Sequence, residues 1–104
     1  MARDRSDEGA GAAQRAAAES LAVAALGWLA GQGDPLRDFM VATGSGPDEI
    51  RARAADPEFL AAVLDFLMQE DGWVLGFAAD HGLRPEQVAQ ARARLPGGDQ
   101  PYFT

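Results

Sequence analysis

Cysteine is absent from the 104 residues, and so is lysine; there is one histidine, His81. The first absence removes disulfides, thiolate nucleophiles and thiolate metal sites, and it fits a reducing compartment. The second removes amine chemistry and the lysine of a phosphate-binding loop, and neither glycine-rich phosphate fingerprint occurs. Long apolar runs are also missing. The longest, Leu21 to Ala30, has ten residues, about half of what a membrane span requires. It lies behind Arg15 and Glu19 and a mixed-charge opening, which is late for a signal-peptide core. The expectation is a core helix in a cytoplasmic protein.

What is present is alanine and acid. Alanine supplies 22 residues, so the 47% hydrophobic fraction overstates the bulky apolar volume. Net charge is -7, and all nine basic residues are arginine. In residues 1–16, Arg3, Arg5 and Arg15 balance Asp4, Asp7 and Glu8, so the excess negative charge falls on the rest of the chain. Such a surface repels nucleic-acid phosphates and anionic lipid and favours a basic protein partner.

The apolar spacing is helical throughout. Residues 1–11, polar and glycine-bearing, are expected to be a disordered leader. A first helix from about Ala12 to Ala30 carries Leu21, Ala25, Trp28 and Leu29 on one face. Asp34-Pro35 reads as the cap and first residue of a second, with Leu36, Phe39 and Met40 inward. Pro47 opens a third, with Asp48 and Glu49 in its first turn and Ile50 and Ala54 inward. Asp56-Pro57 opens a fourth, the most hydrophobic and expected to be central, striped by Leu60, Val63, Leu64 and Leu67 and flanked by Phe59 and Phe66. Trp73, Val74 and Phe77 face inward from a fifth that ends at Gly82. Val88, Ala91 and Leu95 do so from a sixth that starts at Pro85. The fold class expected is all-α: about six short helices of eight to nineteen residues in one domain, 12–95, followed by a tail, 96–104.

One phrase occurs twice. Phe39 to Ile50 and Phe77 to Val88 share Phe, Gly five residues on, Pro three beyond that, then an acid, Glu or Gln, and a β-branched residue. A shift of 38 lays residues 21–56 over 59–94 with seven identities: Ala24, Leu26, Leu29, Phe39, Gly44, Pro47 and Ala55 meet their like. They fall on core positions and on turn punctuation. The phrase therefore reads as a helix-to-helix joint, because turn chemistry alone demands these residue types. The larger expectation is two pseudo-repeated three-helix units in an orthogonal-type bundle, with the first and fourth helices as the central pair.

The segments DPEFLAAVLDFLMQED, from Asp56, and FAADHGLRPEQVAQARARLPGGDQP, from Phe77, resemble a family of small bacterial all-helical proteins catalogued as a domain of unknown function. The resemblance covers roughly Ala17 to Thr104, most specifically Asp56 to Leu67 and Leu95 to Gly98. Family members often end in a short tail with Pro, an aromatic and Thr, here Pro101, Phe103 and Thr104. A glycine-leucine pair is usual in the joint; the second copy keeps it as Gly82-Leu83, whereas the first has Gly44-Ser45. The resemblance implies no activity, so no catalytic residue comes with it.

The chemistry-bearing residues are few. His81 stands where a histidine complements the end of a helix. Ser6, Ser20 and Ser45 stand in a chain with one His, no Cys and no Lys, which argues against a hydrolase triad. The carboxylate pairs Asp56 with Glu58 and Glu70 with Asp71 lie at helix ends, where capping accounts for them. Asp65, inside the fourth helix, is the one acid near apolar neighbours, and an ion pair with Arg51 or Arg53 is expected for it. No catalytic residue, metal or cofactor is expected. Arg51 and Arg53 on the third helix, with Arg92 and Arg94 on the sixth, allow a DNA-associated regulator built on a helix, glycine turn and helix. Four arginines are thin against the acidic balance. The remaining feature is the tail: Pro101, Tyr102, Phe103 and Thr104 follow a Gly-Gly hinge. They either fold back over a groove beside the fourth helix or form a hook for a protein partner. The functional expectation is a non-enzymatic protein-interaction module or regulatory adaptor, with a homodimer also allowed.

Overall fold

In the computed structural model, the backbone is described for residues 2–97 and the side chains for residues 11–97. Among these residues there are six α-helices and no strand. They are α1 (Ala2–Gln32), α2 (Asp34–Thr43), α3 (Pro47–Arg53), α4 (Pro57–Leu67), α5 (Asp71–His81) and α6 (Pro85–Ala93). Two lengths depart from expectation. α3 has 7 residues. α1 has 31 and begins at Ala2, so helical backbone continues through the stretch read as a leader. No proline precedes Pro35; alanine, arginine and glutamate favour helix, and a glycine costs about 1 kcal/mol without forcing a stop.

α1 packs against α2, α4 and α6, and α6 also packs against α4 and α5. The face that α1 buries is small: Ala18, Ala22, Ala25, Leu26 and Leu29 are all buried. Their spacing of four, three, one and three is one helical stripe. Three alanines in that stripe keep the seam thin where α1 meets its neighbours. α4 supplies the bulk. Phe59, Leu60, Ala61, Val63, Leu64, Phe66 and Leu67 are buried on it, which makes it central as expected. Burying each large apolar side chain contributes about 1.5–3 kcal/mol.

An aromatic chain runs through this core. Phe39 on α2 meets Phe59 edge-on at 5.6 Å and Phe66 at 5.2 Å between ring centroids. Phe66 in turn lies 5.2 Å from Trp73 on α5. Trp28 joins α1 to α5: its Nε1 donates to Asp80 Oδ2 at 2.7 Å, and its ring meets Phe77 edge-on at 6.2 Å.

The two joints are built alike. Gly44 has φ 68° and Gly82 has φ 64°, both left-handed, a conformation that glycine adopts without the Cβ penalty of other residues. Ser45 N–H donates to Met40 O at 3.1 Å, and Leu83 N–H donates to Ala78 O at 2.8 Å. Each bond spans five residues, the Schellman closure of a helix end. Pro47 and Pro85 then open α3 and α6. Phe39 and Phe77 are buried under their joints. In both, the residue four beyond the Phe bonds its carbonyl: Thr43 Oγ1 donates to Phe39 O at 2.8 Å, and His81 Nδ1 lies 3.3 Å from Phe77 O.

Capping follows the expected signals at α4, where Asp56 accepts from Glu58 N–H at 3.0 Å. At α2 it does not. Asp34 is the first helical residue, the cap position is Gly33 and no side chain caps there. Gly33, with φ 81°, breaks the chain direction so soon after Gln32 that α2 begins one residue earlier than its Asp-Pro signal suggests.

Candidate functional site

Several of the polar groups singled out by sequence make contacts within the fold. Asp65 pairs with an arginine as expected, but with neither Arg51 nor Arg53. Arg92 on α6 donates from Nε to Asp65 Oδ1 at 2.6 Å and from Nη2 to Oδ2 at 3.2 Å. The reason lies in the packing order: α6 is laid against α4. Nη1 of Arg92 donates to Pro96 O at 2.9 Å, so one buried guanidinium ties α4, α6 and the turn after α6 together. This planar fork matches a carboxylate in two bonds, which lysine cannot reproduce.

The other three arginines named with Arg92 are spread out. Arg51 faces Asp48 across one turn at 3.9 Å, with both side chains exposed. Arg53 lies 5.3 Å over the Phe59 ring. Arg94 Nη1 donates to Gln14 Oε1 on α1. His81 stacks at 4.6 Å on Phe77. Ser45 is buried within its joint. Among the described residues, no three His, Asp or Glu side chains gather as a metal site would need. None of the described helices is long and apolar enough to cross a membrane. Pro101, Tyr102, Phe103 and Thr104 lie outside the described residues.

Among the described residues, one apolar concavity is a groove that the sequence does not locate. It has a volume of about 370 Å³. Its floor is Ala17, Leu21 and Ala24 of α1, Phe77 of α5 and Leu83 of the second joint; Ser20, His81 and Gln87 supply polar groups. A shallower continuation of about 160 Å³ runs between α1 and α6, past Gln14, Gln90 and Arg94. The two share Ala17, Leu21 and Gln87. The groove exists because α1 spans the bundle while α5 stops at Gly82, leaving the stripe around Leu21 half-covered. The signal in sequence is slight. Leu21 and Leu83 both read as core residues, and only the pairing of α1 with α6, sixty residues apart, shows that the cover between them is incomplete.

Chemically, the arrangement offers an apolar floor for one or two side chains, with a hydroxyl, an imidazole and an amide around it. Ser20 and His81 both line it, and His81 Nδ1 lies 3.3 Å from Phe77 O. No curated protein and no solved structure matches the chain. The model of the family described as "Protein of unknown function (DUF3572)" matches residues 15–98, from late in the first half of α1 to just past the Arg92 latch. The chain belongs to that family.

Proposed function

We propose that the chain is a non-enzymatic protein-interaction module, a regulatory adaptor of the cytoplasm, that meets a partner protein through the groove between α1, α5 and α6. The observation that supports this reading is the groove itself, an open apolar floor with a few polar groups around it. Such a groove suits the apolar face of a helix or an extended segment from another protein. The net charge of -7 favours a partner with basic residues flanking that face. Pro101, Tyr102, Phe103 and Thr104 are the second contact in this reading, as two aromatics with a proline after Gly97-Gly98 in the sequence.

The finer architecture belongs to the same proposal. We read the bundle as a degenerate tandem repeat of two three-helix units in orthogonal-type packing. The likeness of the Gly44 and Gly82 joints, down to the carbonyl bond under each, supports it. Superposition of residues 21–56 on 59–94 tests it, and helices that fall out of register would refute it.

The functional test is recovery of the N-terminally tagged full-length chain from its own cells, beside Leu21→Asp and a chain lacking residues 99–104. One partner at near-stoichiometric yield, lost with Leu21→Asp while that variant melts like the parent, is the expected outcome. A partner retained by Leu21→Asp overturns the groove assignment. Recovery of the chain alone overturns the stable-adaptor reading.

A further inference from the structure

Two side chains that line the groove between α1, α5 and α6 each have one polar atom already committed to backbone. They are His81 and Gln87. His81 Nδ1 lies 3.3 Å from Phe77 O, and its ring stacks on the Phe77 ring at 4.6 Å. A carbonyl oxygen only accepts, so Nδ1 carries the proton. In the neutral imidazole, Nε2 is then a bare acceptor. Gln87 is set the opposite way. Its Oε1 accepts from Arg84 N–H at 2.8 Å, so the end left over is the amide nitrogen, a donor. Among the described residues, no partner takes His81 Nε2 or the Gln87 amide nitrogen. Ser20 adds a hydroxyl, which both donates and accepts. Leu21, Ala24 and Leu83 of the floor are half-buried.

The groove therefore offers a set acceptor and a set donor beside an apolar floor. An occupant that covers it takes both polar atoms away from water. A polar atom left unpaired there costs more than its hydrogen bond would have contributed. The two forms of apolar segment that suit the floor differ on this point. An α-helix has used its backbone N–H and C=O groups within itself, so its apolar face would strand His81 Nε2 and the Gln87 amide. An extended segment keeps those groups on its edge, and its side chains alternate between faces. Main-chain bonds then hold the segment while alternate side chains meet the floor.

We infer that the occupant is an extended segment of the partner protein. One of its backbone N–H groups donates to His81 Nε2, one of its backbone C=O groups accepts from the Gln87 amide, and an apolar side chain rests on Leu21, Ala24 and Leu83. This inference rests on the adaptor reading and narrows it from either form of apolar segment to one. His81 and Gln87 become the residues that select that form.

The probe is a peptide selected from a random displayed library on the full chain, with Leu21→Asp as the counter-selection. Each amide of the synthetic peptide is then N-methylated in turn. The expected result is alternation: one N-methylation weakens binding about tenfold or more, while its neighbours, whose N–H groups face away, are tolerated. His81→Phe keeps a ring on Phe77 but has no acceptor. It should weaken the unmodified peptide by a like factor and be indifferent to that N-methylation. Gln87→Glu keeps an oxygen for Arg84 N–H but offers no donor, so it should weaken the peptide while melting like the parent. A selected peptide that binds as a helix, affinity unchanged in both variants, or losses that add in His81→Phe each overturns the inference and leaves the adaptor reading standing. A library that yields no peptide sensitive to Leu21→Asp overturns the groove assignment along with it.

Discussion

Gly76 sits inside α5 with nothing in its backbone that requires glycine, and its replacement by alanine is expected to destabilise the protein. Elsewhere the same change should stabilise. At Gly27 of α1 an added Cβ meets nothing within 4 Å. There Gly27→Ala is expected to gain about 0.5–1 kcal/mol from helix propensity. At Gly76 the added Cβ would stand 3.0 Å from Trp28 Cζ2 and 3.4 Å from Cη2. Whether that costs anything depends on whether the indole can move. Its Nε1 is held by Asp80 at 2.7 Å, and its ring is set edge-on against Phe77. Gly76, Phe77 and Asp80 are all on α5, so any retreat from the first strains the contacts with the other two. Overpacking of this kind costs about 1–3 kcal/mol, against a propensity gain of about 1. The net expectation is a loss of up to about 2 kcal/mol, or a fall in melting temperature of several degrees for a domain of this size. Urea unfolding followed by helical circular dichroism measures it. The decisive background is Trp28→Phe, which removes Cζ2, Cη2 and the Asp80 bond together. In that background Gly76→Ala should change sign and stabilise like Gly27→Ala. If Gly76→Ala stabilises the parent by the same amount as Gly27→Ala, the indole is free to move and the argument fails.

Three further outcomes follow from geometry already described. Gly44→Ala and Gly82→Ala should each cost about 1–2 kcal/mol by chemical denaturation, because an L-residue is forced left-handed where no atom crowds its Cβ; equal stability in either variant would refute that cause. Asp65→Ala should cost more than Arg92→Met, about 1–3 kcal/mol against near neutrality, because the first strips a buried guanidinium of its carboxylate while the second removes the charge with it. The reverse order in paired urea melts would show that packing of the arginine stem dominates. Asp56→Ala should cost about 1 kcal/mol through the lost cap on α4, and Asp34→Ala should cost less, since no capping bond is made there. Equal losses at the two sites would refute the distinction.

These cases also mark how far the sequence could be read. Helix starts at Pro47, Pro57 and Pro85 and stops at Gly44 and Gly82 were legible, because proline and left-handed glycine act through their own backbone geometry. So was the burial of Phe39 and Phe77, which periodicity places on the inner face. Asp34 was misread because an Asp-Pro pair fits both a cap followed by its first residue and the first two residues of a helix, and Gly33 decided between them. The partner of Asp65 was misread for a different reason. Its side chain is aimed by α4, but which arginine meets it depends on which helix packs alongside, and local sequence carries little about that. The α1–α5–α6 groove was hidden for the same cause. Leu21 reads as core in any arrangement, and only the relative lengths of α1 and α5 leave it half-covered.

The pairing of α1 with α6 has a consequence for the chain as it is made. α1 is synthesised before α6 yet packs against it, and Arg92, which latches α6 to α4, lies close to the C-terminal end of the described chain. α1 and α4 can meet as soon as Leu67 is clear of the ribosome, yet the bundle cannot close until Leu95 has followed. For the time it takes to translate the intervening segment, a greasy strip of α1 is presented to whatever holds nascent chains. An arrest placed between Gly82 and Arg92 would prolong that exposure, and one placed well beyond Leu95 would end it.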